Sequence, residues 1–262
     1  MLYLMDFTWA DLALWIVAFA AQMVLFFVML RKQRAKQFPF FTIFIGFNIM
    51  NDAALYFVRN NAHVYELLYY SGQSVNFILQ LFVVVEIAGQ VFRPFGRWAT
   101  GARSFWIAAC ALSLVAALGL TFVASPHAPS SLWAWAIKGV LFGMMFTCMI
   151  SIAVLVTARR YGLGWRNHVM GLAQGWTFWA FITFVVETCH SYFGFSMWYF
   201  SLDHVGTVAG IAALIYWIFI FWQEEPIRVA TPEGHKILIE QQRQLDYYLA
   251  KLVSRPGTRR SP

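Results

Sequence analysis

Residues 12–30 read LALWIVAFAAQMVLFFVML, a run without a charged side chain, and residues 31–36 read RKQRAK. About 20 apolar residues in an α-helix cross the ~30 Å hydrocarbon core of a bilayer, and lysine and arginine collect on the cytoplasmic side. The two segments therefore predict a transmembrane helix that ends in the cytoplasm. No Ala-x-Ala cleavage site follows the apolar run, so we interpret this helix as an uncleaved signal anchor.

The same signal recurs along the chain and predicts an all-α fold, a polytopic membrane bundle of seven transmembrane helices. The apolar stretches are 9–30, 38–58, 64–92, 104–124, 132–157, 168–190 and 198–222. Residues 1–222 thus form the membrane domain, and residues 223–262 form a polar tail. The composition agrees, because 60% of the residues are hydrophobic, 12% are charged and the mean hydropathy is +0.61. Such values are typical of a chain whose solvent is lipid.

Lysine and arginine are distributed unevenly between the connections. The connections after helices 1, 3 and 5 hold Arg31, Lys32, Arg34, Lys36, Arg93, Arg97, Arg103, Arg159, Arg160 and Arg166. The alternate connections hold only Arg59, near the end of helix 2. Because basic residues mark cytoplasmic connections, we predict that the N-terminus lies outside and the C-terminus lies in the cytoplasm.

The net charge of +7 and the pI near 9.5 raise the question of a nucleic-acid partner. That function requires a basic patch on a folded soluble surface, whereas here the basic residues follow the helix ends. We therefore expect the lipid bilayer, and no nucleic acid, as the partner of these charges. Cys110, Cys148 and Cys189 all lie in apolar runs, and we expect them to be free thiols.

The tail contains one predicted amphipathic helix, at about residues 232–253. Thr231, Pro232 and Glu233 have the N-cap, first-turn proline and acidic first turn of a helix start. One apolar stripe at heptad-like spacing consists of Leu238, Leu245, Leu249 and Leu252. The stripe is predicted to dock, and three surfaces stay open here: the membrane, the cytoplasmic connections, and a protein partner or second copy.

Two stripes of polar residues run along helices 2 and 3. Spacings of three and four residues place on one face of helix 2 Asn48, Asp52, Tyr56 and Arg59. The same spacings place on one face of helix 3 Glu66, Tyr69, Gln73, Asn76 and Gln80. Because a short outer connection joins the helices, the stripes can form a polar seam that opens outside and holds a ligand or proton pathway. Alternatively, both stripes are structural, since interhelical polar bonds also stabilise bundles that bind nothing.

Asp52 is the sharpest candidate in this seam. A carboxylate at membrane depth has to pair with a cation or take up a proton. That requirement suits ligand binding, proton coupling, or a structural ion pair with Arg59 or Lys138. Lys138, roughly two turns into helix 5, has the alternative of extending its ammonium group to the membrane surface.

A third polar face lies near the cytoplasmic end of helix 3. Glu86, Gln90 and Arg93 follow one another at spacings of four and three residues. We interpret this face as structural, because a polar ladder can close a helix end without a ligand.

The outer ends of helices 6 and 7 carry Glu187, His190, Asp203 and His204. These are the side-chain types that bind zinc, and Glu187 and His190 share a face at the i,i+3 spacing of carboxylate-bridged metal bundles. A zinc-activated water there could hydrolyse a lipid or peptide bond. Alternatively, the histidines lie at the interface and bind no metal.

The Pro39-Phe40-Phe41 start of helix 2, the tyrosine-rich start of helix 3, and Glu86 followed by Arg93-Pro94-Phe95 carry a resemblance. With these features the chain resembles a group of uncharacterised bacterial seven-transmembrane-helix proteins. The resemblance covers most of the membrane region. It implies the seven-helix fold and a multi-pass location in the bacterial inner membrane, and it implies no activity.

The sequence favours a non-enzymatic function. It contains no recognisable nucleophile motif, phosphate-binding loop, dinucleotide fingerprint or haem-attachment motif. The leading hypothesis is a receptor-like sensor, or an accessory subunit of a larger membrane complex, that acts through helix contacts and the tail. The alternative is an ion, proton or small-molecule channel or transporter that uses the polar seam. A third hypothesis is the outer-face metal-dependent hydrolase.

Overall fold

The computed structural model describes residues 9–92, 100–123, 131–160, 168–193 and 199–224, together with three short helical pieces of the tail, 239–240, 243–244 and 246–247. These residues form seven long α-helices and no β-strand. The helices are α1 (Trp9–Arg31), α2 (Pro39–Val58), α3 (Ala62–Phe92), α4 (Thr100–Val123), α5 (Ser131–Arg160), α6 (His168–Phe193) and α7 (Tyr199–Trp222). The predicted all-α class is confirmed, and each predicted stretch differs from its helix by a few residues at most.

Six of these helices are long and apolar enough to cross a membrane, namely α1, α2, α3, α5, α6 and α7. The described apolar part of α4, Ile107–Val123, is shorter. Large hydrophobic side chains such as Phe57, Phe122 and Phe219 are exposed on the bundle surface. A soluble protein rarely exposes so many of them, whereas a membrane protein presents them to lipid. The chain therefore has the architecture of a multi-pass membrane protein, while the seventh span stays a prediction.

The helices enclose a shared interior. α1 and α7 run parallel, because Asp11 contacts His204 near their beginnings and Lys32 lies over the Trp222 ring at their ends. α1 packs against α2 and α7, α6 packs against α5 and α7, and α3 packs against α2, α5 and α6. α4 lies against α5 at the edge of the bundle. The end of the bundle at which α2 ends and α3 begins borders a cavity and is named the cavity end. The opposite end carries Arg31 and Lys32 and is named the basic end.

Aromatic side chains fill the middle of the bundle between α2, α6 and α7. The Phe41 ring lies 5.1 Å from Trp217, and the Phe44 ring lies 5.0 Å from Trp176, both edge to face. α6 approaches α7 closely at Gly175, where an added Cβ atom would collide with the Trp217 indole. A glycine is thus required at this position for the two helices to pack as they do.

Glu86 in α3 closes the beginning of α2 at the basic end. Its two carboxylate oxygens each accept a 3.0 Å hydrogen bond, one from the backbone N–H of Phe40 and one from that of Phe41. Gln90, one turn further along α3, donates to the backbone carbonyl of Gln37 over 2.9 Å. The first N–H groups of a helix have no partner within it, so this clamp satisfies α2 from a neighbouring helix. Arg93, the third member of that sequence face, lies outside the described residues.

The predicted docking stripe of the tail also falls outside the described residues. None of Leu238, Leu245, Leu249 and Leu252 is described. The described tail residues between them are helical and exposed. The amphipathic helix and its docking therefore stay predictions.

Candidate functional site

A cavity of about 610 Å³ occupies the half of the bundle nearest the cavity end. Side chains from six helices line it: α1, α2, α3, α5, α6 and α7. Small-molecule sites typically have volumes of about 300 to 1,000 Å³ and lie between packed elements. The size and position of this bundle cavity are thus those of a ligand site.

Aromatic side chains line the bundle cavity both near the aromatic core and near the cavity end. Phe44, Trp179 and Trp217 line its deeper part, next to the aromatic core. Three tyrosines near the start of α3 line its upper part, Tyr65, Tyr69 and Tyr70. The Tyr69 ring lies 5.5 Å from Tyr70 and 6.3 Å from Tyr65. Aromatic side chains therefore line the space in which a ligand would lie.

The predicted seam of α2 and α3 forms one wall of this cavity. Asn48 and Asp52 from α2, together with Gln73 and Asn76 from α3, line it. These four residues therefore face a common space, while their role in a ligand or proton pathway stays a prediction. Glu66 and Tyr69 of the α3 stripe also line the cavity, so of the two stripes only Tyr56, Arg59 and Gln80 are absent from its lining.

The remaining stripe residues lie elsewhere. Tyr56 is exposed and stacks on Trp15 at 5.1 Å, and the Arg59 guanidinium lies 4.2 Å above the Tyr56 ring. Gln80, deeper in α3, is buried outside the cavity lining, and its Oε1 atom has no hydrogen-bond partner among the described residues. Lys138 is half-buried and is not among the lining residues.

Asp52 is paired by a residue that sequence reasoning did not identify. The side-chain amide of Gln22, in α1, donates to Asp52 Oδ2 over 3.1 Å. Among the described residues neither Arg59 nor Lys138 forms an ion pair with Asp52, so the structural ion pair considered above is not the observed arrangement. Gln22 is the one polar amide in the apolar run 12–30, and the cost of placing it in lipid was the available signal.

The residues considered as zinc ligands are divided between two contacts. His190 in α6 approaches Glu187 at 4.0 Å and Asp203 at 3.6 Å. His204 Nε2 instead lies 2.6 Å from Asp11 Oδ1, which ties α7 to α1. Within the described ranges no group of three or more His, Cys, Asp or Glu residues is arranged to hold a metal ion. Asp203 and His204 are consecutive residues of a helix and, as expected, point in different directions.

The lining of the bundle cavity is acidic. Its carboxylates come from four different helices: Asp52, Glu66, Glu187 and Asp203. Of the described lining residues none is lysine or arginine, and His190 is the one histidine. The cavity thus combines carboxylate and amide acceptors with aromatic rings in one lining.

The chain matches no family model, no curated protein and no solved structure.

Proposed function

We propose that the protein is a non-enzymatic, receptor-like membrane protein that binds a small molecule in the bundle cavity. The observation that carries this proposal is a cavity of about 610 Å³ that six helices line, five of them with polar or aromatic side chains. Hydrogen bonds that only hold two helices together do not require a cavity between them, whereas a bound ligand does.

We further propose that the cavity end faces the outside of a bacterial inner membrane. The support comes from the basic residues of the α1–α2 connection, Arg31, Lys32, Arg34 and Lys36, which favour the cytoplasm for the opposite end. α3 ends at the basic end and α5 begins at the cavity end, so α4 has to run the length of the bundle. That course supports a seventh span.

The proposed output leaves through the tail. A bundle that senses a ligand has to contact a partner, and the leucine stripe Leu238, Leu245, Leu249 and Leu252 offers an apolar surface for one. The same contact would make the protein an accessory subunit of a larger complex, or a homo-oligomer. Deleting residues 231–262 should abolish native co-purification of that partner, and unchanged recovery would contradict this part of the proposal.

Ligand binding is tested by filling the cavity. Gly206 lines it, and an added Cβ atom would meet only Val186, at an ordinary 3.9 Å. In Gly206→Leu the larger side chain therefore extends into the cavity. Ala212→Leu, on the exposed side of the same helix, is the matched control.

The measurement is native mass spectrometry of the protein extracted gently from its own membrane. Wild type and Ala212→Leu should carry a small-molecule adduct that Gly206→Leu lacks. The same adduct on all three proteins, or none on any, would contradict the proposal.

A channel or transporter is the second candidate, and buried polar groups between the cavity and the basic end favour it. Gln80 in α3 and Thr147 and Ser151 in α5 each have a buried side-chain oxygen without a hydrogen-bond partner among the described residues. Together with Asp52 they provide successive polar sites along which an ion or a proton could pass. Liposome flux of wild type and Asp52→Asn decides: equal flux, or none from either, removes this candidate.

A further inference from the structure

Among the described residues that line the bundle cavity, acidic and basic side chains are unbalanced in number. On the α6–α7 side, His190 lies close to both Glu187 and Asp203, so it can offset at most one of their charges. On the α1–α2 side, Asp52 is held by a neutral amide, that of Gln22. Asp203 is exposed, whereas Asp52 and Glu187 are partly buried. Carboxylates that line one space in a membrane bundle repel one another, and the buried ones are costly when unpaired. A positively charged ligand would relieve both costs.

Two amide oxygens in the cavity wall also lack hydrogen-bond donors among the described residues. Because the Gln22 Nε2 atom donates to Asp52, the Gln22 Oε1 atom is left as an acceptor, and it has no partner in the described part of the chain. Asn76 Oδ1, across the cavity in α3, is also buried without a partner among the described residues. A ligand rich in N–H groups would supply what these acceptors lack after small rotations of the amides.

Aromatic rings complete the pattern. Tyr69 and Trp179, from α3 and α6, line the cavity on two of its walls, and Trp217 lines it from α7. The faces of tyrosine and tryptophan attract ammonium groups, and enclosure by several rings is the way proteins recognise amines. The rings also provide apolar contact for a carbon skeleton.

We propose that the ligand of the bundle cavity is a small organic cation, a molecule with an ammonium group on an apolar skeleton, and this inference rests on the proposed function. Asp52 is the counter-ion of the ammonium group, and the tyrosine and tryptophan rings surround it. A bare metal ion fits less well, because the described residues hold no cluster of three ligands and the space is far larger than an ion.

The test compares molecules that differ in charge and share a shape. The full-length protein in lipid nanodiscs is titrated with 2-phenylethylammonium, with its neutral isostere propylbenzene, and with the anion 3-phenylpropanoate. Binding is followed by tryptophan fluorescence, since Trp179 and Trp217 line the cavity. Sodium and potassium chloride are titrated alone as the inorganic probes.

Two variants separate charge from space. Asp52→Asn removes the proposed counter-ion, while Asp246→Asn removes an exposed carboxylate in the tail and serves as its control. Gly206→Leu fills the cavity, with Ala212→Leu as its control. The ammonium compound should bind more than about tenfold tighter than propylbenzene, the strength of a hydrogen bond to a charged group. Asp52→Asn should remove that preference, and Gly206→Leu should weaken every compound.

The outcomes distinguish the two proposals. If propylbenzene or the anion binds as well as the cation and Gly206→Leu blocks it, the organic-cation inference is wrong and the small-molecule site stands. If only sodium or potassium binds, through Asp52, the cavity is an inorganic cation site and the inference is again wrong. If no probe binds and no adduct is found on the native protein, both proposals fail.

Discussion

Gln22 donates a 3.1 Å hydrogen bond to Asp52 and thereby joins α1 to α2 in the wall of the bundle cavity. The bond orients the carboxylate without neutralising it, because the donor is an amide. Asp52 can therefore be held in place and still attract a cation. This relationship explains why a single polar residue occurs in the apolar run of α1.

Replacing Gln22 by leucine should lower the free energy of unfolding by about 1 to 3 kcal/mol, the cost of leaving a buried polar group without its partner. The measurement is reversible unfolding in mixed micelles. In an Asp52→Leu background the same replacement should cost about 1 kcal/mol less, since the bond is already absent. Fully additive effects of the two substitutions would show that the residues do not interact.

The clamp at the basic end gives a second prediction. Glu86→Ala removes both acceptors of the Phe40 and Phe41 N–H groups and should destabilise the protein by about 1 to 2 kcal/mol, as for a lost helix cap. Glu86→Gln retains one acceptor oxygen and should cost about half as much. Glu240→Gln, at an exposed tail position, is the control and should change stability by less than about 0.5 kcal/mol. If Glu86→Ala and Glu86→Gln changed stability no more than Glu240→Gln does, the clamp would be contradicted.

The spacing of polar residues along α2 and α3 predicted which side chains of these two helices line the cavity. The stripe residues that line the cavity are Asn48 and Asp52 in α2 and Glu66, Tyr69, Gln73 and Asn76 in α3, because three- and four-residue spacing determines a helix face. Spacing does not determine depth. Tyr56 lies on the same face as Asp52, yet at the helix end it stacks on Trp15, and Gln80 lies too deep to reach the cavity.

The part of the site formed by α1, α6 and α7 depends on which helices pack against one another. α1 packs against α7, its most distant partner in sequence, and this contact brings Asp11 to His204. The contact of α1 with α2 brings Gln22 to Asp52. All helices are apolar over most of their surface, so the hydrophobic pattern that predicts each one says little about its neighbours. The polar residues of helices 6 and 7 were therefore interpreted as a separate site, whereas Glu187, His190 and Asp203 belong to the same cavity.

The close contact of α6 with α7 gives a third prediction. Gly175→Ala places a methyl group against the Trp217 indole and should destabilise the protein by about 1 to 3 kcal/mol through overpacking. Gly139→Ala, in α5, is the matched control, because an added Cβ atom there meets no atom within 4 Å. The control should be neutral or slightly stabilising, since alanine favours helix more than glycine does. A tolerated Gly175→Ala would mean that the helices pack less closely.

The proposed orientation gives a fourth prediction. In a chain whose three cysteines are replaced by serine, new cysteines are introduced at exposed positions: Asn60 and Val123 at the cavity end, and Lys36 at the basic end. A membrane-impermeant maleimide applied to intact spheroplasts should label the first two and should label Lys36→Cys only after permeabilisation. Labelling of Val123→Cys also reports the seventh span. The reverse pattern would invert the topology.

The central claim is that the bundle cavity holds a small molecule. A high-resolution map of the protein extracted without denaturation from its own membrane tests it most directly. We expect compact density between Asp52 and the Tyr69 and Trp217 rings in wild type and its absence in Gly206→Leu. A cavity that is empty in both proteins, or filled in both by a lipid acyl chain, would contradict the claim.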